Sequence, residues 1–118
     1  MTRTVTGTPS ADAGGYRTLS LDVVDGLARL RLDRPGRQNA IDAVMARELA
    51  LAATALAADR SVRAVLLRGN GPMFSAGGDI TDFTGAGADR LPDRLRTMID
   101  DFHVAVERLA TLDVPVVA

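Results

Sequence analysis

The chain has 118 residues, a net charge of −1 at pH 7 and a pI near 5.7. Its length suits one hydrophobic core, and its charge argues against a surface for nucleic acid or anionic membranes, which need a concentrated positive field. It has no cysteine and a single histidine, His103, so it can form neither a disulfide nor a Cys/His zinc site. All 14 basic residues are arginine, which excludes catalysis by a Schiff-base lysine or a P-loop lysine.

The N-terminal stretch MTRTVTGTPSADAGG lacks the apolar core of a secretory signal. It is rich in small and polar residues, which bury little apolar surface. We therefore predict a mobile tail over residues 1 to 15 and a folded unit over residues 16 to 118. A cytoplasmic location and a small-molecule or protein partner are favoured.

The next segment has the pattern of a β-hairpin. Apolar residues alternate with more polar ones over residues 19 to 23 and 28 to 32, and Asp25-Gly26 between them is a strong turn signal. Pro35 and Gly36 then end the pattern. Asp42 is placed to cap a helix that runs to about Ala58.

Residues 62 to 69, VRAVLLRG, form a short apolar run typical of a strand covered on both faces. The order strand, helix, strand predicts a right-handed crossover. A second helix is predicted from about Pro92 to Ala110, with an apolar stripe that includes Leu95 and Leu109. Glu48 and Glu107 are expected to face solvent, and the residues expected in the core are Met45, Leu49, Leu56, Val65, Leu67, Ile99, Phe102 and Val106.

The last residues, DVPVVA, indicate the start of another buried strand at Val114, Val116 and Val117. We expect the chain to be the N-terminal part of a longer protein, with a short final strand in a complete chain as the alternative. In a fragment, these valines would be exposed on the face that meets the missing part. The fold expected is the N-terminal portion of an α/β spiral.

A glycine-containing turn, GPMFSAGGDI (Gly71 to Ile80), follows the apolar strand. Such a turn can hold a phosphate, but Phe74 stands where the third glycine of G-x-G-x-x-G would be, and no G-K-S/T follows. Adjacent backbone N–H groups can also form an oxyanion hole, which stabilises charge that develops on a carbonyl oxygen. A purely structural turn is the alternative.

Three stretches resemble the crotonase, or enoyl-CoA hydratase/isomerase, family. LDRPGRQNAID resembles that family's Arg-Pro-x-x-x-Asn-Ala segment, and VRAVLLRGNGPMFSAGGDI resembles its next strand and Phe-x-Ala-Gly-x-Asp turn. LDVPVVA resembles the strand that leads to the second half of the family's oxyanion hole. The matches occur in family order, and together they cover about Leu19 to Ala118.

The resemblance implies a crotonase-like ββα spiral, of which this chain is the N-terminal portion, and binding of an acyl-coenzyme A thioester. It maps the first oxyanion donor onto the backbone N–H of Gly78. No cofactor is implied, because coenzyme A is part of the substrate, and a homo-oligomer (trimer or hexamer) is expected at full length. The substrate-binding positions implied are Arg37, Gln38, Ala40, Ala76, Gly78, Asp79 and Ile80.

Several of these side chains have a second interpretation. Arg34 and Arg37 could each bind phosphate or be ordinary surface arginines. Asp79 is favoured as an acceptor that fixes the turn over a catalytic role. His103 is favoured as a half-exposed packing residue over an acid or base, and Ser75 has no visible partner base that would make it a nucleophile.

The resemblance implies hydration of a 2-enoyl thioester or double-bond migration, both through an enolate-like thioester. Hydrolase, decarboxylase and dehalogenase relatives share the same N-terminal half. The glutamates that act as acid and base in the hydratases, and the second oxyanion donor, would lie after residue 118. The full-length protein is expected to be an enzyme, and the fragment of residues 1 to 118 alone is expected to be inactive. The alternative is a truncated or degenerate chain that acts as a non-catalytic binding or interaction module.

Overall fold

The computed structural model describes residues 2 to 3, 15 to 79 and 91 to 118. The described strands pair in chain order in one sheet, antiparallel from β1 to β3 and parallel from β3 to β5. This arrangement confirms the α/β fold class. The predicted tail falls mostly outside the described residues and stays a prediction. The elements are β1 (Thr2–Arg3), β2 (Leu19–Val24), β3 (Leu27–Leu32), a 3₁₀ turn (Pro35–Arg37), α1 (Ala43–Ala58), β4 (Ala64–Gly69), α2 (Leu91–Ala110) and β5 (Val116–Val117).

The predicted hairpin is confirmed as β2 and β3. Asp25 and Gly26 both have positive φ, 50° and 84°, as a two-residue turn between twisted strands requires. Every second residue of β2 is buried, and Asp22 lies directly opposite Arg29 on the other face. The hydrogen bond from Arg29 Nε to Asp22 Oδ1, 2.7 Å long, raises the pKa of the guanidinium.

Helix α1 connects β3 to β4 and begins where the sequence predicts. Asp42 caps it, because its Oδ1 accepts a hydrogen bond of 2.8 Å from the backbone N–H of Met45. Met45, Leu49 and Leu56 are buried in the core, as predicted. The handedness of this crossover stays a prediction.

The prediction that Glu48 faces solvent is wrong. Its side chain is buried, and its Oε1 accepts hydrogen bonds from Thr18 N at 2.7 Å and Thr18 Oγ1 at 2.6 Å. Both carboxylate oxygens also accept from Arg17 N. A carboxylate can leave water where such bonds replace its hydration, and these bonds attach the start of β2 to α1. Glu107 is exposed, as predicted.

Strand β4 is covered less completely than its sequence predicts. Val65 is buried, whereas Leu66 and Leu67 are half-buried and Arg68 is exposed. The parallel partner β5 forms as predicted, but it is not a buried strand. Val117 is 59% exposed.

The apolar stripe of α2 is rotated from the predicted one. Ile99 and Val106 are 40% and 48% exposed, so their predicted burial is wrong. The helix instead buries Met98 and Ala105, with Phe102 half-buried against the core. Helices α1 and α2 pack against each other, and α1 is rich in buried alanines, which let another helix approach closely. None of the helices described is long and apolar enough to cross a bilayer.

Candidate functional site

Two loops lie side by side at one edge of the sheet. The first loop, residues 33 to 42, follows β3, and the second loop, residues 70 to 79, follows β4. Because β3 and β4 are parallel, their carboxyl ends meet at the same edge, which is where open α/β sheets bind ligands. This edge contains the sequence-predicted site residues that the structure describes.

The loops are joined like two short parallel strands. Ile41 and Gly78 form an isolated parallel bridge between them. Backbone hydrogen bonds therefore hold the second loop against the first before any ligand binds. They run from Ala76 N to Gln38 O at 2.9 Å, from Ile41 N to Gly77 O at 2.7 Å and from Asp79 N to Ile41 O at 2.8 Å.

Asn39 connects the two loops through its side chain, a role that the sequence reasoning missed. It is fully buried, its Oδ1 accepts from Arg34 N at 2.7 Å, and its Nδ2 donates to Asn70 O at 2.8 Å and Met73 O at 2.9 Å. Ser75 Oγ donates to its carbonyl oxygen at 2.8 Å. The signal was its place in the Arg-Pro-x-x-x-Asn-Ala stretch, where a positive φ of 52° suits asparagine.

Close approach of the loops requires a glycine at the end of β4. A Cβ built on Gly69 would lie 2.4 Å from the carbonyl oxygen of Phe74 and 2.9 Å from Nδ2 of Asn39. Real Cβ atoms do not make such contacts. Gly69 therefore lets the second loop fold back over the strand that precedes it.

The backbone N–H of Gly78 differs from its neighbours in the second loop. The N–H groups of Ala76, Gly77 and Asp79 all donate to acceptors, that of Gly77 to Ser75 Oγ at 3.0 Å. For Gly78 N–H, no acceptor is found among the residues that the structure describes. None of the described residues therefore uses this N–H, and Gly78 is exposed.

The direction of the Gly78 N–H follows from peptide geometry. The carbonyl of Gly77 and the N–H of Gly78 belong to one trans peptide plane and point in opposite directions. The Gly77 carbonyl accepts from Ile41 N, so the Gly78 N–H points away from the first loop. The site thus presents a fixed N–H donor, as an oxyanion hole requires.

Arg34 and Asp79 lie between the loops, and Asp79 is buried. Both terminal nitrogens of Arg34 lie 3.3 Å from Asp79 Oδ2, and its Nη1 also donates to Ala40 O and lies 3.5 Å from Asp42 Oδ2. The geometry supports the favoured interpretation of Asp79 as a structural acceptor. It argues against phosphate binding by Arg34, whose side chain is only 16% exposed.

The remaining sequence-predicted residues lie around this edge. Arg37 is 56% exposed, with its Nη2 3.5 Å from Asp79 Oδ2, and Gln38 is exposed beside it. Ala40 is half-buried in the first loop, and Ala76 is exposed in the second. Ile80 lies outside the described residues. His103 is exposed on α2 and more open to solvent than predicted.

An apolar cavity of about 150 Å³ adjoins the loops. It touches Ile41, the residue that pairs with Gly78, so the cavity and the donor share one structural support. Its lining is entirely apolar and its volume lies below the roughly 300 to 1,000 Å³ of typical ligand pockets, so it has room for a small apolar group only. Its lining residues are Leu32, Ile41, Leu49, Leu67, Phe74, Phe102, Ala105, Val106 and Leu109.

Comparison with known protein families identifies the family that carries these loops. The model of the enoyl-CoA hydratase/isomerase family matches residues 27 to 118. The chain belongs to this family. Both loops and the strands that carry them fall inside the match, which confirms the resemblance to the crotonases.

Individual crotonase relatives agree with this assignment. The chain is 32% identical over 100 residues to 4-chlorobenzoyl coenzyme A dehalogenase-2 of an Arthrobacter species, covering 85% of this chain and 36% of the relative. It is 34% identical over 103 residues to a probable enoyl-CoA hydratase of Rhizobium meliloti, covering 87% of this chain and 38% of the relative. The chain therefore spans less than half the length of these two relatives.

Solved structures confirm the fold. The crystal structure of an enoyl-CoA hydratase from Mycobacterium smegmatis superposes with a TM-score of 0.76 at 29% identity, over 85% of this chain and 38% of that one. The chain thus corresponds to the N-terminal portion of the crotonase fold.

Proposed function

We propose that the complete gene product processes an acyl-coenzyme A thioester and stabilises a thioester enolate in a backbone oxyanion hole. The Gly78 N–H is the first donor. The observation that carries this proposal is the orientation of that N–H, directed away from the first loop and without an acceptor among the described residues. The names of the relatives, an enoyl-CoA hydratase and a benzoyl-coenzyme A dehalogenase, support the thioester as substrate.

The chemistry follows from the preorganised donor. Negative charge develops on the thioester oxygen when an enolate forms, and an N–H already held in place stabilises that charge without reorganisation. Hydration of a 2-enoyl thioester or double-bond migration is the favoured reaction. Dehalogenation of an aryl thioester is the second candidate, because the Arthrobacter relative is 32% identical over most of this chain.

The two parts of the substrate have separate candidate contacts. The apolar cavity beside Ile41 suits the acyl group. Arg37 has an exposed guanidinium at the outer side of the first loop and suits a coenzyme A phosphate. We expect Arg37→Ala to weaken binding of acyl-coenzyme A more than binding of a short pantetheine thioester, which lacks the nucleotide phosphates. Equal losses would contradict phosphate binding by Arg37.

The decisive test compares Gly78→Ala with Gly78→Pro in the complete gene product. A Cβ at Gly78 meets no heavy atom of the described residues within 4 Å, and its φ is not in the left-handed region, so alanine keeps both the backbone and the donor. Proline removes the donor. Turnover of crotonyl-coenzyme A should survive in the alanine variant and fall roughly a hundred- to thousandfold in the proline variant.

Proline also restricts the preceding Gly77, so the melting temperatures of both variants must be compared first. If the folded proline variant turned over crotonyl-coenzyme A as fast as the alanine variant, Gly78 would not be an oxyanion donor. If the native protein bound acyl-coenzyme A without turning over crotonyl or 4-chlorobenzoyl thioesters, the non-catalytic binding module would be favoured instead.

A further inference from the structure

Arg34 lies at the start of a hydrogen-bonded series that ends at the proposed oxyanion donor. Its Nη1 donates to the carbonyl oxygen of Ala40. The N–H of Ile41, in that same peptide, donates to Gly77 O at 2.7 Å. The N–H of Gly78, in the next peptide, points outward toward the proposed position of the thioester oxygen.

This geometry aligns two peptide dipoles with one cation. In each trans peptide the C=O and N–H point in opposite directions. The two peptide dipoles in the series that begins at the guanidinium therefore point the same way. Hydrogen bonds in such a chain polarise one another. A cation donating to the first carbonyl therefore makes the last N–H more positive.

We propose that Arg34 is a positioning residue that orients and polarises the Gly78 N–H through the Ala40–Ile41 and Gly77–Gly78 peptides. This inference rests on the proposed function, because it concerns the strength of the same donor. Arg34 does not need to touch the substrate. This role differs from both interpretations that the sequence offered for Arg34, phosphate binding and an ordinary surface position.

Arginine suits this position better than lysine. The guanidinium contacts three acceptors at once. They are Ala40 O on the first loop, Asp42 Oδ2 at the cap of α1 and Asp79 Oδ2 on the second loop. Its planar fork of donors can hold several acceptors in fixed directions, whereas an ammonium is a hydrated point charge on a flexible stem. The side chain is only 16% exposed, so water competes weakly for these acceptors.

The test measures the carbonyl stretching frequency of bound butanoyl-coenzyme A, labelled with ¹³C at the thioester carbonyl, on the complete gene product. Hydrogen bonding to this carbonyl lowers its frequency. The native protein should lower it relative to free ligand. Arg34→Gln should lower it less and reduce turnover about five- to tenfold, which is less than the loss expected when a donor is removed entirely.

Two controls separate this role from simpler ones. Arg47→Gln, on the exposed face of α1, removes an arginine outside the loops and should leave the frequency unchanged. Affinity for free coenzyme A should be the same in the Arg34→Gln variant as in the native protein, because the proposed role involves no phosphate. A frequency read at saturating ligand does not change through loss of stability alone.

The outcomes distinguish the inference from the proposed function. No lowering of the frequency in the native protein would overturn the proposed function itself. If the native protein lowers the carbonyl frequency and Arg34→Gln lowers it equally, only the inference is overturned. The same holds if Arg34→Gln weakens binding of coenzyme A while the carbonyl frequency is lowered as in the native protein. If Arg34→Gln does not fold, Arg34→Met, which also removes the cation, decides: a smaller lowering than in the native protein supports the inference, and an equal lowering overturns it.

Discussion

The close approach of the two loops predicts a large effect from one methyl group at Gly69. In Gly69→Ala the new Cβ would lie 2.4 Å from Phe74 O and 2.7 Å from Phe74 Cα. Ordinary contact begins at 3.4 Å, so one side must move by about 1 Å. Both contacts are with backbone, which cannot move away as a flexible side chain could.

The cost can be worked out from these contacts. Forcing an added methyl into a packed region typically costs about 1 to 3 kcal/mol of unfolding free energy. Displacing the Asn39 amide endangers its buried hydrogen bonds to Asn70 O and Met73 O, each contributing about 1 kcal/mol. If both hydrogen bonds are lost, the expected loss is therefore about 3 to 5 kcal/mol.

The same shift should reach the site, because Phe74 lies four residues before Gly78. Misplacement by 1 Å can reduce turnover by about a hundredfold. Urea denaturation and turnover of crotonyl-coenzyme A, measured on the complete gene product, provide the two readouts. Gly36→Ala is the matched control, since its Cβ meets no atom within 4 Å in the part of the chain that the structure describes and its φ is ordinary. A Gly69→Ala protein as stable and active as that control would refute the close-approach argument.

Two further predictions concern polar contacts in α1. Glu48→Gln should cost about 1 to 3 kcal/mol of unfolding free energy, because it disturbs a buried carboxylate that accepts from two backbone amides and a hydroxyl. Urea denaturation measures this loss, with Glu107→Gln as the control: Glu107 is exposed, so its substitution should leave the stability nearly unchanged. Asp42→Ala should lower the free energy of unfolding by about 1 kcal/mol, because the helix cap is lost, whereas Asp42→Asn should keep most of the native stability. Equal urea midpoints for the two Asp42 variants would contradict the capping role.

The elements that the sequence predicted correctly are determined by neighbouring residues. The hairpin depends on a two-residue turn and on alternation within six-residue strands. The start of α1 depends on Asp42 and the N–H three residues later. Such local signals can be recognised in one sequence, because the interacting groups are close together along the chain.

The rotation of α2 could not be predicted in this way. A stripe through Leu95, Ile99 and Val106 and a stripe through Met98 and Ala105 both follow the helical period. The alanine-rich surface of α1 is far away in the sequence, and packing against it buries the second stripe. The larger side chains favour the first stripe as the buried one, whereas the structure buries the face that includes the smaller Ala105.

The sequence singled out Gly78 as a candidate site residue, but it did not identify the residues that hold its loop in place. Arg34 contacts a residue 45 positions away, and Asn39 contacts one 31 positions away. Glu48, 30 positions from Thr18, was misjudged for the same reason. A sequence identifies the chemistry of a side chain, but its partner becomes known only when two distant segments meet.

The geometry of the loops also separates the residue that performs the proposed chemistry from those that make it possible. An oxyanion donor of this kind is a backbone N–H, so its direction depends on the bond made by the preceding carbonyl. That carbonyl, of Gly77, is held by Ile41, and the Ile41 peptide is held by Arg34. The side chain at Gly78 is nearly free to change, whereas Arg34 and Gly69 are not. The proposed activity should therefore be more sensitive to substitution of Arg34 and Gly69, which need not touch the thioester, than to the side chain at the residue that donates to it.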